Sequence, residues 1–492
     1  MGSKKLIKCG WLITAAIIWM LIAITCTTAQ DEIPITTSSD KALELFKQGR
    51  KLAEYIKPQK AITYFEKAVE IDSNFALAYL NLAYPYSNAG KTEKAFEVYY
   101  KAVALMDKVS EGEKLLILAF KEGVDGNTAK VKELYQKLAK VYPKDKRAHD
   151  ALAGFYYGQQ EYPLAIEEYK KAIEIDPNFA PSYNSLGYVY SYSGKYAEAE
   201  KALKKYAELI PDEPNPYDSL AEILMKQGKY DESIEAYKKA LSLDPNFILS
   251  HIGIATNFNL KGEHEEARKQ LQKLYDIAPN DGVRRQALSS MALSYIDEGK
   301  LDKAIEELKK RYDIAEKNND DLGMAGDIGL MANILVEMGK FDEALAKYHK
   351  SVELNVKSDL LSQKQKDNVK QGLLYNEARI ALKKNDVATA KSKAEEYGKQ
   401  AEAGNNPFVK KASHELLGMI ALHEKRHDDA LQELQQANLE DPRNFCRMAK
   451  AYEGKGDKDK AKEFWIKAAN FNEISTSYAF IRNKAKTKLS EM

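Results

Sequence analysis

The stretch HEKRH, at residues 423–427, has the spacing of a zinc-hydrolase motif. In that motif two histidines four residues apart lie on one face of a helix and bind the metal, while the glutamate acts as the general base. The candidate ligands are His423 and His427, with Glu424 as the base. The geometry requires all five residues to belong to one helix, so the elements around them decide the question.

The rest of the sequence contains no second catalytic constellation. The other histidines show no ligand spacing; they are His149, His251, His264, His349 and His414. No phosphate-binding glycine loop, dinucleotide fingerprint or nucleophile elbow occurs. We therefore predict a non-enzymatic protein without a metal or cofactor, and a zinc-dependent hydrolase using the HEKRH stretch is the alternative.

The sequence around this stretch contains a repeated motif whose apolar residues have helical spacing. AIEEYKKAIEIDPNF begins at Ala165 and SIEAYKKALSLDPNF begins at Ser233, 68 residues later. A related phrase begins at Ala199, midway between them, and two more begin 34 residues apart at Ala61 and Ala95. A fixed period of this length indicates stacked supersecondary units.

The period and its characteristic residues resemble the tetratricopeptide repeat. The copy that begins at Pro214 carries the small, aromatic, turn and exit residues of that family: Leu220, Ala221, Leu224, Gly228, Ser233, Tyr237, Ala240 and Pro245. The resemblance implies two antiparallel helices in each copy, and one pair cannot bury its own apolar face, so neighbouring pairs must stack. We predict an all-α solenoid, or superhelix, of about 12 helix pairs with a C-terminal capping helix.

The spacing of the copies divides the chain. The period is mostly 34 residues over 41–281, the copies over 282–473 are longer and irregular, and 474–492 is the predicted capping helix. Longer spacing predicts longer helices, with VKSDLLSQKQKDNVK extending one of them. The register also places HEKRH across the turn of one pair, because Ala421 ends the first helix and Ala430 lies in the second; such a turn would break the zinc geometry.

The N-terminal 29 residues have the layout of an export signal, with lysines, an apolar run and small residues before Gln30. We predict cleavage before Gln30, a linker over 30–40 and a periplasmic or secreted protein. Two alternatives remain open: residues 11–28 retained as a membrane anchor, or a lipid attached to Cys26. Cleavage would leave Cys446 as the last cysteine, and we interpret it as a small apolar residue in a helix.

The charge balance argues against a nucleic-acid partner, since 74 basic and 73 acidic residues give a net charge of +1. The resemblance implies a scaffold that holds segments of other proteins in a concave groove lined by the first helix of each pair. Carried onto this sequence, the groove residues are Asn81, Tyr84, Tyr157, Asn184, Tyr188, Tyr192, Asp218, Glu222, Ile252, Thr256 and Asn259. Tyrosine and asparagine suit peptide recognition, although such tyrosines also pack between helices. A non-protein ligand such as a glycan chain is a weaker option.

Overall fold

The computed structural model describes residues 31–492 except for 56–57, 89–91, 405 and 473–474. The predicted signal peptide or anchor and the alternative lipidation site at Cys26 lie outside the described residues. Within the described residues every regular element is a helix and no strand occurs. In that same part of the chain, no helix combines the length and the apolar character that crossing a membrane requires.

The chain divides after Pro216 into two compact units. The described residues of the first unit form five antiparallel helix pairs. In order these are α1 (Asp40–Glu54) and α2 (Pro58–Ile71), α3 (Ala76–Asn88) and α4 (Thr92–Leu105), α5 (Glu111–Val124) and α6 (Thr128–Val141), α7 (Lys146–Gly158) and α8 (Tyr162–Ile175), α9 (Ala180–Tyr192) and α10 (Tyr196–Leu209). A short 3-10 turn, Met106–Lys108, precedes α5.

The described part of the second unit contains seven pairs and a final helix; its first helix begins at Pro214, just before the boundary. In order these are α11 (Pro214–Lys226) and α12 (Tyr230–Leu243), α13 (Ile248–Lys261) and α14 (His264–Ile277), α15 (Asp281–Glu298) and α16 (Leu301–Lys317), α17 (Asp321–Glu337) and α18 (Phe341–Lys357), α19 (Gln363–Lys383) and α20 (Val387–Gly404), α21 (Pro407–His423) and α22 (His427–Leu434), α23 (Pro442–Lys455) and α24 (Lys458–Ala469), and α25 (Thr476–Ser490). The all-helical arrangement of pairs predicted from the sequence is confirmed.

Small residues set how closely the two helices of a pair approach. A Cβ atom at Gly187 of α9 would lie 2.6 Å from Leu203 Cγ of α10. At Gly253 of α13 it would lie 2.1 Å from the Tyr237 ring of α12. Because real Cβ atoms do not approach this closely, these positions need glycine, and the large side chains of the neighbouring helix fill the space.

The longer repeats consist of longer helices. Helices α15 to α21 contain 17 to 21 residues, whereas most helices of the first unit contain 13 or 14. The stretch VKSDLLSQKQKDNVK extends α19 only in part, since residues 358–362 form a loop. Ser362 then caps α19, because its side chain accepts from Gln365 N while the Gln365 side chain accepts from Ser362 N. The change of repeat length at residue 282 falls inside the second unit.

The final helix, α25, covers more than the last pair. Its Ala485 packs with Trp465 of α24, and its Ala479 packs with Ala292 and Ile296 of α15. Arg482 of α25 donates to the backbone carbonyls of Asn259 and Leu260 at 2.9 and 3.0 Å. This helix therefore joins the end of the second unit to its early pairs, 185 or more residues back in the sequence.

Residues 31–39, which the sequence analysis treats as part of a linker, form no helix or strand and lie against the first unit. Ile33 is 3% exposed. The Ile33 N–H donates to Asp145 Oδ2 at 2.8 Å, and the Thr36 N–H donates to Glu113 Oε1 at 2.9 Å. This segment is therefore fixed to the array by specific contacts up to the start of α1.

Candidate functional site

The first helices α7 and α9 lie side by side and present two rows of predicted groove positions. Asn184, Tyr188 and Tyr192 are four residues apart on α9, so they share one face of that helix. On α7 the corresponding row contains Asp150, Gly154 and Tyr157. Gly154 is exposed, and the nearest heavy atom to a Cβ built there is Tyr169 Oη at 3.7 Å. A side chain at this exposed position would therefore make only an ordinary contact with Tyr169, and no bulky group stands on this row between Asp150 and Tyr157.

Three tyrosine rings meet at one end of these rows. The ring centroids of Tyr157 and Tyr192 are 6.0 Å apart, and Tyr162 stacks on Tyr192 at 6.0 Å with an interplanar angle of 15°. Tyr157 and Tyr162 are half-buried, while Tyr192 is 42% exposed. We call Tyr157, Tyr162 and Tyr192 the tyrosine cluster. It offers a fixed aromatic surface at low cost in side-chain entropy.

Polar acceptors occupy the other end of the two rows. Asp150 Oδ1 accepts from the Ser182 hydroxyl at 2.7 Å. Burial raises the pKa of Asp150 to about 6, and the Ser182 hydrogen bond only partly offsets this. Asn184 stands one repeat later, but 32 residues after it the chain carries Pro216, which has no hydroxyl to donate. Among the described residues nothing donates to the buried Asn184 Oδ1 atom. This acceptor is therefore unsatisfied, and a ligand N–H would reach it once the side chain turns toward the surface.

The earlier predicted groove residues lie on α3. Tyr84 is 68% exposed. The Asn81 amide donates to Leu77 O at 2.8 Å, a bond to the preceding turn of its own helix. Asn81 therefore retains its oxygen and its second amide N–H for a ligand, and Tyr84 is largely exposed.

The predicted groove residues of the second unit are less accessible. Asp218 is 6% exposed and accepts from the Ser250 hydroxyl at 2.7 Å, and burial raises its pKa to about 7. Glu222 pairs with Lys226 at 3.3 Å. Ile252 and Thr256 are half-buried, and Ile252 packs against the cores of α14 and α15.

Asn259 does not lie on an open surface. It is 3% exposed, and its Oδ1 atom accepts from the Ser294 hydroxyl at 2.7 Å. Its backbone carbonyl binds Arg482 of the final helix. Asn259 is thus enclosed by Ser294 and by the contact of α25 with its backbone, an arrangement that the period of the repeat does not encode.

A more open surface of the second unit lies between α17 and α19. A cleft of about 300 Å³ is lined by glycines of both helices and by α18 residues; its members include Gly326, Gly329, Asn333, Tyr348, Gly372 and Asn376. A Cβ at Gly326 or Gly372 would meet no heavy atom within 4 Å. Tyr348 donates to Asn333 Oδ1 at 2.7 Å. The cleft gives this unit an accessible face that the sequence analysis did not identify.

The HEKRH stretch spans a turn, as its register predicts. His423 ends α21 and His427 begins α22, with Lys425 between them at φ 60°. Glu424 pairs with Lys391 at 2.5 Å and with Arg426 at 2.8 Å. The two histidines are therefore not on one helical face. In the described part of the chain, no group of three histidine, cysteine or acidic side chains is arranged to hold a metal ion.

Comparison with protein families matches the helix pairs described above. Tetratricopeptide repeat profiles match residues 64–97, 180–213, 219–247 and 442–473, and a TPR repeat profile matches 155–191. The 180–213 match covers α9 and α10, and the 442–473 match covers α23 and α24. The chain is a tetratricopeptide repeat protein. The family assignment made from the sequence is confirmed.

Several solved structures resemble this tetratricopeptide repeat protein in part. A crystal structure of MamA is 26% identical over 33% of this chain and 88% of its own, with a TM-score of 0.30. YrrB, described as a TPR protein with an unusual peptide-binding site, is 22% identical over 37% of this chain and 91% of its own, with a TM-score of 0.28. A monomeric mutant of IFIT1 with Gppp-AAAA is 15% identical over 88% of this chain and 90% of its own, with a TM-score of 0.40.

All three TM-scores lie below 0.5, so these likenesses carry no weight for the function of this tetratricopeptide repeat protein. No curated protein matches its sequence. The repeats themselves support a protein-interaction scaffold.

The tetratricopeptide repeats contain one site residue that the sequence analysis missed. Tyr162 is the first residue of α8, a second helix, yet its ring joins the tyrosine cluster. Tyrosine recurs at this position of the next two repeats, as Tyr196 and Tyr230. That 34-residue recurrence marks the start of the second helix in each pair as a regular tyrosine position, and it would have identified Tyr162 as a candidate.

Proposed function

We propose that this tetratricopeptide repeat protein is a non-enzymatic scaffold that binds a segment of a partner protein on the α7–α9 face of its first unit. The observation that carries the proposal is the juxtaposition of the tyrosine cluster with the Asn184 oxygen, which lacks a donor among the described residues. Apolar or aromatic side chains of the partner would contact the rings. A backbone N–H of the partner would donate to Asn184 Oδ1.

The space at Gly154 supports this placement. It separates the Asp150 carboxyl from the Tyr157 ring, so a bound segment would run between an acceptor and an aromatic surface. Burial of aromatic side chains in such a pocket supplies most of the affinity in typical interfaces, and the polar groups set the register.

A zinc-dependent hydrolase remains the alternative function, and its test is direct. The turn at Lys425 separates the two histidines, which disfavours a shared metal. Stoichiometric zinc in the purified protein that is lost in a His423→Ala variant would support the alternative. Equal, substoichiometric zinc in both proteins would count against it.

Export is also proposed, on the layout of residues 1–29. Cell fractionation together with N-terminal sequencing would test it. A mature chain that begins at Gln30 in the exported fraction supports cleavage. An intact N-terminus on a membrane-bound chain would support the anchor, and a lipidated Cys26 would support the third possibility.

A groove-filling substitution tests the binding proposal. Gly154→Gln adds a side chain to the open space on α7 without removing any existing contact, and helix propensity favours the change. Gly372→Gln is the control in the second unit: a Cβ at Gly372 meets no heavy atom within 4 Å, and a Cβ at Gly154 has no neighbour closer than Tyr169 Oη at 3.7 Å. Cross-linked capture from the protein's own cells should recover a partner with the wild type and the control and lose it with Gly154→Gln. Loss only with Gly372→Gln would move the site to the α17–α19 cleft.

A further inference from the structure

An extended segment of the chain, residues 33–38, lies across the turns that connect successive pairs of the first unit. We call it the docked segment. It forms no helix or strand, so its backbone groups need partners from elsewhere. Those partners are side chains of the array, and they come from three different pairs.

Three carboxylates of the array accept backbone N–H groups of the docked segment. The Ile33 N–H donates to Asp145 at the start of α7, and the Thr36 N–H donates to Glu113 in the first turn of α5. The Ser38 N–H donates to Asp72 Oδ2, just after α2, at 2.7 Å. All three carboxylates are buried, at 2%, 0% and 5% exposure in this order. Buried carboxylates require donors. The array supplies some of them, from Arg147 to Asp145 and from Asn74 N to Asp72, and the backbone of the docked segment supplies one more to each carboxylate.

Backbone carbonyls of the docked segment are bound as well. The Ser110 hydroxyl donates to Pro34 O at 2.8 Å, and Arg147 donates to Ile33 O at 3.3 Å. These contacts, like the three N–H bonds, recognise an extended main chain whatever its side chains.

Side-chain contacts add selectivity for hydroxyl residues. The Thr36 hydroxyl donates to Glu113 Oε2 at 2.5 Å, and the Thr37 hydroxyl donates to Asp72 Oδ2 at 2.6 Å. Glu113 Oε2 also accepts from Ser110 N at 3.0 Å, so one buried carboxylate both caps α5 and binds the docked segment.

A pocket for one apolar side chain completes the arrangement. A Cβ built at Gly112 would lie 2.6 Å from Ile33 Cγ2 and 2.9 Å from the Tyr142 ring. The Tyr142 hydroxyl accepts from Gly112 N at 3.0 Å, which fixes the ring as the pocket wall. Ile33 therefore occupies a site that exists only because residue 112 lacks a side chain.

We propose that the surface formed by Asp72, Ser110, Gly112, Glu113, Tyr142 and Asp145 is a second peptide-binding site, which takes an extended segment of the pattern apolar–Pro–x–Thr–Thr–Ser and is occupied in cis by residues 33–38. It is separate from the α7–α9 face, because it uses the turns between pairs rather than the faces of the first helices. The recognition groups belong to the array, so a peptide of the same sequence binds when the cis segment is displaced.

The test uses the full-length chain, with substitutions only in the docked segment. Ile33→Asp, Thr36→Val and Thr37→Val together remove the apolar anchor and both hydroxyls and leave every array residue intact. The probe is a fluorescein-labelled synthetic peptide with the sequence of residues 31–40, DEIPITTSSD. Fluorescence anisotropy measures its binding. The wild type should show no saturable binding because its site is filled, and the triple variant should bind the peptide.

Two controls define specificity. Adding Glu113→Gln to the triple variant should weaken peptide binding about tenfold or more, because a charge-assisted acceptor for two donors is lost. A peptide that carries the same three substitutions should not bind. A triple variant that retains its helical circular dichroism but does not bind the unaltered peptide would overturn the proposal.

Hydrogen exchange on the full-length chain covers the case in which the triple variant unfolds. In the wild type the amides of Ile33, Thr36 and Ser38 should be protected. Thr36→Val alone should reduce protection within residues 31–39 and leave α1 to α6 unchanged. Unprotected amides in the wild type, or loss of protection that spreads through α1 to α6, would show that the segment is not a separable ligand and would contradict the proposal.

Discussion

The Arg482 guanidinium binds the Asp297 carboxylate at 2.8 Å from Nε to Oδ1, and the two side chains are 3% and 0% exposed. His264 Nε2 lies 2.9 Å from the other carboxylate oxygen. Burial alone would raise the pKa of Asp297, but hydrogen bonds from His264 and Arg482 outweigh it, so the pKa lies below its usual value. The ionised carboxylate thereby holds α25 on the early pairs of the second unit.

Arg482→Ala should destabilise the second unit by about 3–5 kcal/mol, because it leaves a buried carboxylate without its cation. Urea unfolding of the full chain measures the change, and limited proteolysis should release α25 first. Lys484→Ala is the control, since Lys484 is 71% exposed and lies 3.6 Å from Glu337. Equal stability of the two variants would contradict the assigned role of Arg482.

Asp218→Asn should stabilise the protein above neutral pH. Burial raises the pKa of Asp218 to about 7 from 3.8, so the folded state binds its proton more tightly than the unfolded state does. Stability due to this group therefore falls as pH rises from about 4 to about 7 and stays low above that range. Asparagine keeps an oxygen for the Ser250 hydroxyl and carries no charge.

Thermal unfolding of wild type and Asp218→Asn at pH 5 and pH 8 measures this effect. At pH 8 the variant should be more stable by on the order of 1–3 kcal/mol, since one pKa unit corresponds to about 1.4 kcal/mol. At pH 5 the gap should be smaller. Exposed Asp302 provides the control, Asp302→Asn, which should change little at either pH. A variant less stable than the wild type at pH 8 would contradict the predicted direction of the stability change.

Gly187→Ala should destabilise the first unit although alanine is the better helix former. The added methyl group would lie 2.6 Å from Leu203 Cγ, and Leu203 is fully buried. Overpacking of this kind costs about 1–3 kcal/mol. Gly154→Ala, whose Cβ has no neighbour closer than 3.7 Å, should instead gain up to about 1 kcal/mol. Chemical denaturation of both variants distinguishes packing from propensity.

Cys446 should react slowly with thiol reagents in the folded protein. It is buried in α23, and burial raises the pKa of its thiol to about 11, so little thiolate forms at pH 8. A Cys9→Ser and Cys26→Ser variant isolates this thiol for an Ellman assay. The rate should rise sharply in denaturant, and rapid modification of the folded variant would contradict the burial.

The helix pairs could be predicted because their determinants recur at a fixed spacing. Gly187, Ala199 and Tyr206 stand at repeat positions whose spacing defines close helix approach and interlocking side chains. The turn that separates His423 from His427 followed from the same register. The local sequence was sufficient for prediction wherever a helix pair packs mainly against its neighbours in the chain.

The contacts made by the two ends of the described chain could not be predicted in this way. Ile33 meets Asp145 across 112 residues, and Arg482 meets Asp297 across 185. Such contacts occur once, so no period reveals them. The same reason explains why Asn259, a groove position by register, lies beneath α25.

Site-specific photo-crosslinking measures most directly whether the α7–α9 face of the first unit binds a partner segment. The photo-reactive residue p-benzoylphenylalanine replaces Tyr192 in one protein and Tyr100 of α4 in the other; these tyrosines are 42% and 63% exposed. We predict that irradiation in the protein's own cells links a partner to position 192 and not to position 100, and that Gly154→Gln abolishes the link. A partner linked at position 100 alone would contradict binding at the α7–α9 face.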